Sequence, residues 1–346
     1  MSVRVGFVGA GWWAVANHVP AVAADPRASL AGVCRLGARE LEAVRARFGF
    51  PFATESFEEL LDRCPMDALV VTTPHRMHAA QALAAIGRGL HVMVEKPLAT
   101  DPAEARAVEA AARARGVHVL IPHGWNFKPF VATAKAWVEA GRIGRVTHVS
   151  GRMASPIGDL LSGEAMGGTE SEMFRPDPAM WADPATGGFG WGQLIHLLGL
   201  LFHVAPLRAQ SVFALTGAGP TGADLTDAVA VRFQGGATGS LSGVATMPPG
   251  SPYQVALDLV GTEGALSLSM APAALSLVRH DGERDALPLA PDAGAYECLA
   301  PVARFVALCA GERVENAAPA ACGARAVEVV AAMLASARSG RLEAVA

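Results

Sequence analysis

Short apolar runs recur through the first third of the chain, each closed by glycine, proline or polar residues. Residues 3–8, 29–34, 90–94 and 117–121, and the run that starts at Asp67, are aliphatic, partly β-branched and too brief for helices. Continuous apolar runs of this length are what buried parallel strands look like. Longer mixed stretches between them read as helices. Asp101, Pro102 and Glu104 stand in the order of an N-cap, a first-turn proline and a third-position acid, and that helix runs to Gly116. Strands alternating with helices at this rhythm predict a doubly wound parallel sheet. Beyond about residue 145 the rhythm changes. Residues 146–150, 210–215, 228–233, 238–245 and 255–260 read as strands, with Gln234-Gly235-Gly236 as a hairpin turn. This second half is a meander, closed by amphipathic helices near 301–310 and 323–339. The expected division is residues 1–122 and 123–346.

The strand 90–94 stops at Glu95-Lys96-Pro97, because proline cannot donate to a sheet and disfavours helix before it. An ammonium group is thereby held at the carboxyl end of a buried strand, the edge where open parallel sheets bind ligands. Three of the 28 basic residues are lysines (Lys96, Lys128, Lys135) and the other 25 are arginines, so lysine is not the routine surface charge here. By position alone Lys96 reads equally as a solvated strand end, and its partners decide between the two. The first strand runs into Gly9-Ala10-Gly11-Trp12-Trp13-Ala14, a G-x-G-x-x-A pattern. The first glycine permits a tight turn, the second lets backbone approach a pyrophosphate, and the helix that follows offers N–H donors. Its place between a strand and a helix marks it as a dinucleotide loop. Thr73 and Pro74 end another buried strand at the same sheet edge.

The second strand ends at Arg35, where an acid would take the ribose hydroxyls of NAD. A guanidinium suits a 2′-phosphate and accepts nothing from hydroxyls, so NADP is preferred over NAD as cofactor. In the second half, Gly187-Gly188 and the stretch through Trp191, Gly192 and Gln193 open an apolar helix carrying His196. A lone histidine there reads first as a hydrogen-bonded core residue. His203 lies two turns further with no third ligand between, so no metal site is expected. Residues 155–186 are rich in glycine and proline, with the acids Asp159, Glu164, Glu170, Glu172, Asp177 and Asp183 and the bulky Met173, Phe174, Met180 and Trp181. A loop of that length is a lid, a binding loop or a subunit contact. Its aromatics read equally as a cover for a sugar face and as a local plug.

Composition narrows the class. With 51% hydrophobic and 17% charged residues and a net charge of -4, nucleic acid is not expected as a partner. No apolar run approaches the ~18 residues that cross a bilayer, so no membrane is expected either. Arg4 lies inside the first strand, which leads straight to Gly9 without the apolar core of a signal peptide. The five cysteines (34, 64, 298, 309, 322) are scattered and form no CxxC pair. Reduced thiols and a cytoplasmic location are expected.

The Gly9-x-Gly11 loop, His18-Val19-Pro20-Ala21, Thr73-Pro74-x-x-x-His78 and Glu95-Lys96-Pro97-Leu98 occur in order. Gly141-Arg142-Ile143-Gly144-Arg145-Val146, Gly187-Gly188 with His196, and Gly261-Thr262-Glu263-Gly264 follow. In this the chain resembles the glucose-fructose oxidoreductase / inositol 2-dehydrogenase / rhizopine-catabolism (Gfo/Idh/MocA) family over nearly its whole length. The resemblance implies an N-terminal Rossmann domain, a doubly wound parallel sheet, followed by an α/β domain with an open, mostly antiparallel sheet. It implies hydride transfer between NADP or NAD and a hydroxyl or carbonyl of a sugar, cyclitol or related polyol. Cofactor contacts are then expected from Gly9, Gly11, Trp12, Trp13, Arg35, Thr73, Pro74, His78, Glu95 and Lys96. Lys96 is expected between nicotinamide and substrate, and His196 handles the substrate proton. Asn126, Trp191 and Gln193 complete the expected substrate contacts. A homodimer or homotetramer through the C-terminal sheet is implied as well. Two departures stand out: Gly192 where many members carry Asp or Asn, and Trp125-Asn126-Phe127 where an Arg-Phe pair is commoner. Two rival functions remain open: redox-neutral glycoside cleavage through transient oxidation, and a non-catalytic dinucleotide sensor.

Overall fold

The computed structural model describes residues 2–166 and 174–345. Glu170, Glu172 and Met173 of the long loop lie outside the described residues. The chain divides into two compact units. The first holds residues 1–124, 165–177 and 297–324, and the second holds 125–164, 178–296 and 325–346.

The first unit is built on β1 (Val3–Val8), β2 (Ala28–Cys34), β3 (Phe52–Thr54), β4 (Ala68–Val71), β5 (His91–Val94) and β6 (Val119–Leu120). All pair in parallel, in the order β3-β2-β1-β4-β5-β6. Strand order reverses between β1 and β4, the switch point where such sheets bind ligands outside the strand ends. The apolar runs are buried on both faces, with Val5, Phe7, Val33, Leu69, Val70, Val92, Met93 and Val94 fully enclosed. Each such side chain contributes about 1.5–3 kcal/mol, against about 0–1 kcal/mol for an exposed ion pair. Strand packing rather than surface charge therefore fixes where the loops after β1, β4 and β5 end up.

Two later segments belong to this unit, unlike the simple split at 122/123 that the pattern suggests. Ile121 N donates to Ala318 O at 2.9 Å, and Arg27 pairs with Glu312 at 2.8 Å. These pairings are long-range, and no local pattern announces them.

The second unit carries β7 (Val146–Ala154), β8 (Ala209–Ala218), β9 (Asp224–Phe233), β10 (Thr238–Val244), β11 (Gln254–Gly261), β12 (Gly264–Met270), β13 (Ala273–Arg279), β14 (Arg284–Ala286) and β15 (Glu343–Ala344). Their order is β14-β13-β12-β11-β7-β10-β9-β8-β15, with β7 and β10 parallel and the other pairs antiparallel. β12 and β13 lie outside the strands the pattern predicts. Their alternate positions are the small Ala265, Ser267, Ser269, Ala274 and Ser276, which carry little strand preference. The buried face packs on helix Ile195–Val204, where Gly151 of β7 makes room for Leu197. Large apolar side chains with 38% to 64% exposure include Phe213, Leu215, Val260 and Val278.

Helix Ala320–Ser339 is long and apolar enough to cross a membrane by length and composition, but 61% of it is buried in the fold, as in a core helix.

Candidate active site

In the first unit the dinucleotide loop is shaped by its first glycine. Gly9 has φ +80°, and a Cβ there would lie 2.6 Å from the backbone nitrogen of Thr73. Only glycine lets the loop after β1 approach the end of β4 this closely. Thr72 Oγ1 donates to Gly9 O at 2.9 Å, and Thr73 Oγ1 donates to Gln81 Oε1 at 2.6 Å. Trp12 and Trp13 follow, with their rings edge to face at 5.2 Å, and the helix then opens with a π turn over Ala14–His18. Pro74 leads into the short turn His75–Met77.

The end of β5 is braced from two sides. The buried His78 ring sets Nδ1 2.7 Å from Pro97 O and Nε2 2.8 Å from Thr73 O. It thus links the turn after β4 to the turn after β5. On the other side, His18 Nε2 donates to Glu95 Oε1 at 2.7 Å, and Lys96 N donates to Glu95 Oε2 at 3.0 Å. His78 and Glu95, expected as cofactor contacts, have both ring nitrogens and both carboxylate oxygens engaged within the protein. What they give the rim is the placement of Thr73, Lys96 and Pro97. The peptide between Lys96 and Pro97 is cis.

Lys96 itself is buried at 8% exposure. Burial lowers its pKa, and the neighbouring Glu95 opposes that fall. Burial pushes the Glu95 carboxyl up, but the His18 hydrogen bond and the Lys96 charge prevail, and its pKa ends below the ordinary value. The Glu95 charge thus raises Lys96 and the Lys96 charge lowers Glu95, each favouring the ionised form of the other. His123, just beyond β6, feels both of them and is pushed down to about 3 by burial, so its ring is neutral.

Arg35 lies against the dinucleotide loop. Its Nη1 donates to Ala10 O at 2.7 Å, and its guanidinium stacks 5.2 Å over the ring of Phe174. Its buried Nε meets no hydrogen-bond partner among the described residues. A cradle with two glycines, a cation and an open donor fits a dinucleotide phosphate.

In the second unit, helix Ile195–Val204 is buried throughout, and His196 is 4% exposed. Rings surround it: Trp125 lies 5.6 Å and Tyr296 5.4 Å from it, both edge to face. Tyr296 in turn meets Trp125 at 4.7 Å, and Tyr253 meets Trp125 at 6.4 Å. The chain has two tyrosines, and both stand here. That scarcity was the available signal for them, as it was for Lys96. Trp125 Nε1 donates to Gly294 O at 2.9 Å, and Asn126 Nδ2 donates to Gly199 O at 3.1 Å on the His196 helix. Asn126, read as a substrate contact, thus also braces that helix.

The helix is preceded by a π turn over Gly190–Leu194 that holds Trp191 and Gln193, both buried. Trp191 Nε1 has no partner among the described residues. Gly192, the departure from the family pattern, has a structural reason: a Cβ there would lie 2.9 Å from the Trp181 ring. Trp181 packs where a larger residue would need room. Beneath the turn, Asp224 Oδ2 accepts from Gly190 N at 2.6 Å. Burial raises the Asp224 carboxyl, and burial plus the Asp224 charge raises Asp227 further. Sequence reading missed this pair, because two acids at the start of a strand look like solvated loop residues. Among the described residues no cluster of His, Cys, Asp or Glu has the arrangement of a metal site.

Comparison with known proteins bears on these two halves separately. The family model described as "Oxidoreductase family, NAD-binding Rossmann fold" matches residues 3–123, and that of the GFO/IDH/MocA C-terminal domain matches 131–267. Levoglucosan dehydrogenase of Pseudarthrobacter phenanthrenivorans is 27% identical over 292 residues, covering 77% of this chain and 73% of that protein. Trans-1,2-dihydrobenzene-1,2-diol dehydrogenase of Mus musculus is 26% identical over 293 residues, covering 83% and 80%. D-xylose 1-dehydrogenase (NADP(+)) 2 of Haloferax volcanii is 32% identical over 154 residues, covering 44% and 47%. Among solved structures, a levoglucosan dehydrogenase complexed with NADH and levoglucosan matches over 100% of both chains, with TM-score 0.80 and 20% identity. At that identity the likeness is one of fold. The two family models between them take in most of the chain, and the protein belongs to the Gfo/Idh/MocA family of NAD(P)-dependent oxidoreductases.

Proposed function

We propose that the protein oxidises or reduces a single carbinol or carbonyl carbon of a sugar, cyclitol or related polyol, with Lys96 and His196 as its catalytic residues. The observation that carries this reading is the buried Lys96 at the carboxyl end of β5, on the rim that also carries the Gly9 loop. The bound nicotinamide supplies or accepts the hydride. Lys96 holds the substrate oxygen and stabilises the charge that develops on it as its C–H or C=O bond changes. In oxidation His196 takes the hydroxyl proton, and in reduction it returns one, a role worth about 100- to 10,000-fold in rate. Trp125 and Tyr296 beside His196, with Tyr253 against Trp125, supply flat apolar faces and two tyrosine hydroxyls, which suits a polyol with C–H and O–H sides. The curated relatives act on levoglucosan, on a dihydrodiol and on xylose by name, which supports a cyclic polyol as the substrate class.

NADP is the preferred cofactor in this reading. Arg35, fixed by Ala10 and stacked on Phe174, presents a cation where a 2′-phosphate needs one. The protein is taken to work in the cytoplasm, consistent with its five free cysteines. It is taken to assemble as a homodimer or homotetramer through the C-terminal sheet, which carries the exposed Phe213 and Leu215.

Titration with NADPH and NADH, followed by a panel of sugars and cyclitols read at the cofactor absorbance band, tests this. Tighter NADPH binding and stoichiometric absorbance change with one polyol are expected. Product without net absorbance change would mean redox-neutral cleavage, and binding without turnover on any polyol would mean a sensor.

A further inference from the structure

The buried histidines around Lys96 have no role in the chemistry above, and one of them makes a charge arrangement that bears directly on it. An ammonium removed from water loses its proton unless an anion compensates. The titratable groups that face Lys96 come from four places: Glu95 beside it, His78 after β4, His123 after β6, and Cys298 ahead of helix Leu299–Cys309. Burial pushes the Cys298 thiol well up and the His123 ring down to about 3, and it lowers His78 as well. At neutral pH these three carry no negative charge. Glu95 is the anion beside it whose charge raises Lys96.

Glu95 is itself buried, and a buried carboxylate persists when hydrogen bonds favour its charged form. It has two of them, from His18 Nε2 at 2.7 Å and from Lys96 N at 3.0 Å. His18 is 0% exposed, and its Nδ1 makes no hydrogen bond among the described residues, so Glu95 is its one polar anchor there. The imidazole stands on the π turn that follows the dinucleotide loop, within the same unit.

We propose that the His18–Glu95 pair is the built-in counter-charge that keeps Lys96 an ammonium while it is buried. Glu95 and His18 are then positioning residues of the reaction: they touch neither substrate nor the reacting atoms, and act through Lys96. The proposal rests on the role assigned to Lys96 above. Glu95→Gln keeps the shape and removes the charge. His18→Leu removes the hydrogen bond that holds the charge, while His18→Gln offers an amide N–H in its place.

The test reads Lys96 directly. With three lysines in the chain, protein labelled with 13C at lysine Cε gives three resonances, and Lys96→Met identifies the one that matters. The Lys96 titration midpoint is expected to fall in Glu95→Gln and in His18→Leu and to stay near wild type in His18→Gln, with Lys128 and Lys135 unmoved in all three. Because Lys96 must be charged, activity is held below its midpoint and lost above it. The alkaline limb of kcat therefore moves to lower pH in the same two variants and not in His18→Gln. A Lys96 midpoint unchanged in Glu95→Gln overturns the proposal, whatever turnover shows. If Glu95→Gln does not fold, an unchanged midpoint in His18→Leu overturns it equally. A midpoint that falls in a protein without turnover on any polyol upholds the counter-charge and overturns the functional reading instead.

Discussion

Lys96 and His196 are held by opposite means. Lys96, in the first unit, stands in a lattice of ionisable groups: Glu95, His78 and His123 interact with it electrostatically, and His18 holds Glu95. His196, in the second, stands among rings on a helix without one exposed residue. Charge that must survive burial needs specific partners, each at hydrogen-bond distance, and tolerates few substitutions. An imidazole that shuttles one proton needs orientation and a dry wall, which several aromatic arrangements can supply. On the proposed roles, the first kind of surroundings is expected to be the same for any substrate and the second to differ from one substrate to another.

The largest effect expected from breaking this contrast is at His196. His196→Asn should lower kcat by about 100- to 10,000-fold while leaving cofactor affinity within a few-fold, measured by turnover and fluorescence titration. Lys96→Met should cost about 100- to 1,000-fold in kcat, the usual loss for one donor to a developing oxyanion. Gly192→Asp tests the packing side. The clash of its Cβ with Trp181 should destabilise by about 1–3 kcal/mol in thermal or urea unfolding, with recovery in the Gly192→Asp, Trp181→Ala double variant. Arg35→Asp should shift the ratio of NADPH to NADH affinity toward NADH by roughly tenfold or more, as expected from losing a charge-assisted contact. The smallest effect is at Asp227. Both Asp224 and Asp227 have folded pKa values raised above the ordinary one. Their protonated forms are thus favoured by folding, and that stabilisation is lost as pH rises through the folded values. Asp227→Asn should flatten the decline of Tm that sets in as pH rises above the ordinary carboxylate range, measured by thermal unfolding across pH.

The first unit was legible because its information is local. A glycine loop after an apolar run, a proline after a lysine and an N-cap before a helix each act within a few residues. The Rossmann sheet and the place of Lys96 followed from them. The bracing of Glu95 by His18 was not legible, since 77 residues separate them and nothing in either segment names the other. The second unit was read less completely. β12 and β13 are built of alternating leucine and small residues, and the Asp224–Asp227 pair hides at a strand start. In the sequence Gly192 reads only as a departure from the family pattern; next to Trp181 it is a packing requirement. The aromatic ring around His196 unites residues 125, 253 and 296, which only the folded chain brings together.

The central claim is that Lys96 and His196 serve one chemical step. Single-turnover hydride transfer, followed by cofactor absorbance in Lys96→Met, His196→Asn and the double variant on the best polyol, tests it most directly. Residues that act as a unit are not additive. The account predicts that the double variant is about as slow as the slower single one. Losses that multiply, or a single variant that keeps wild-type transfer, would contradict it.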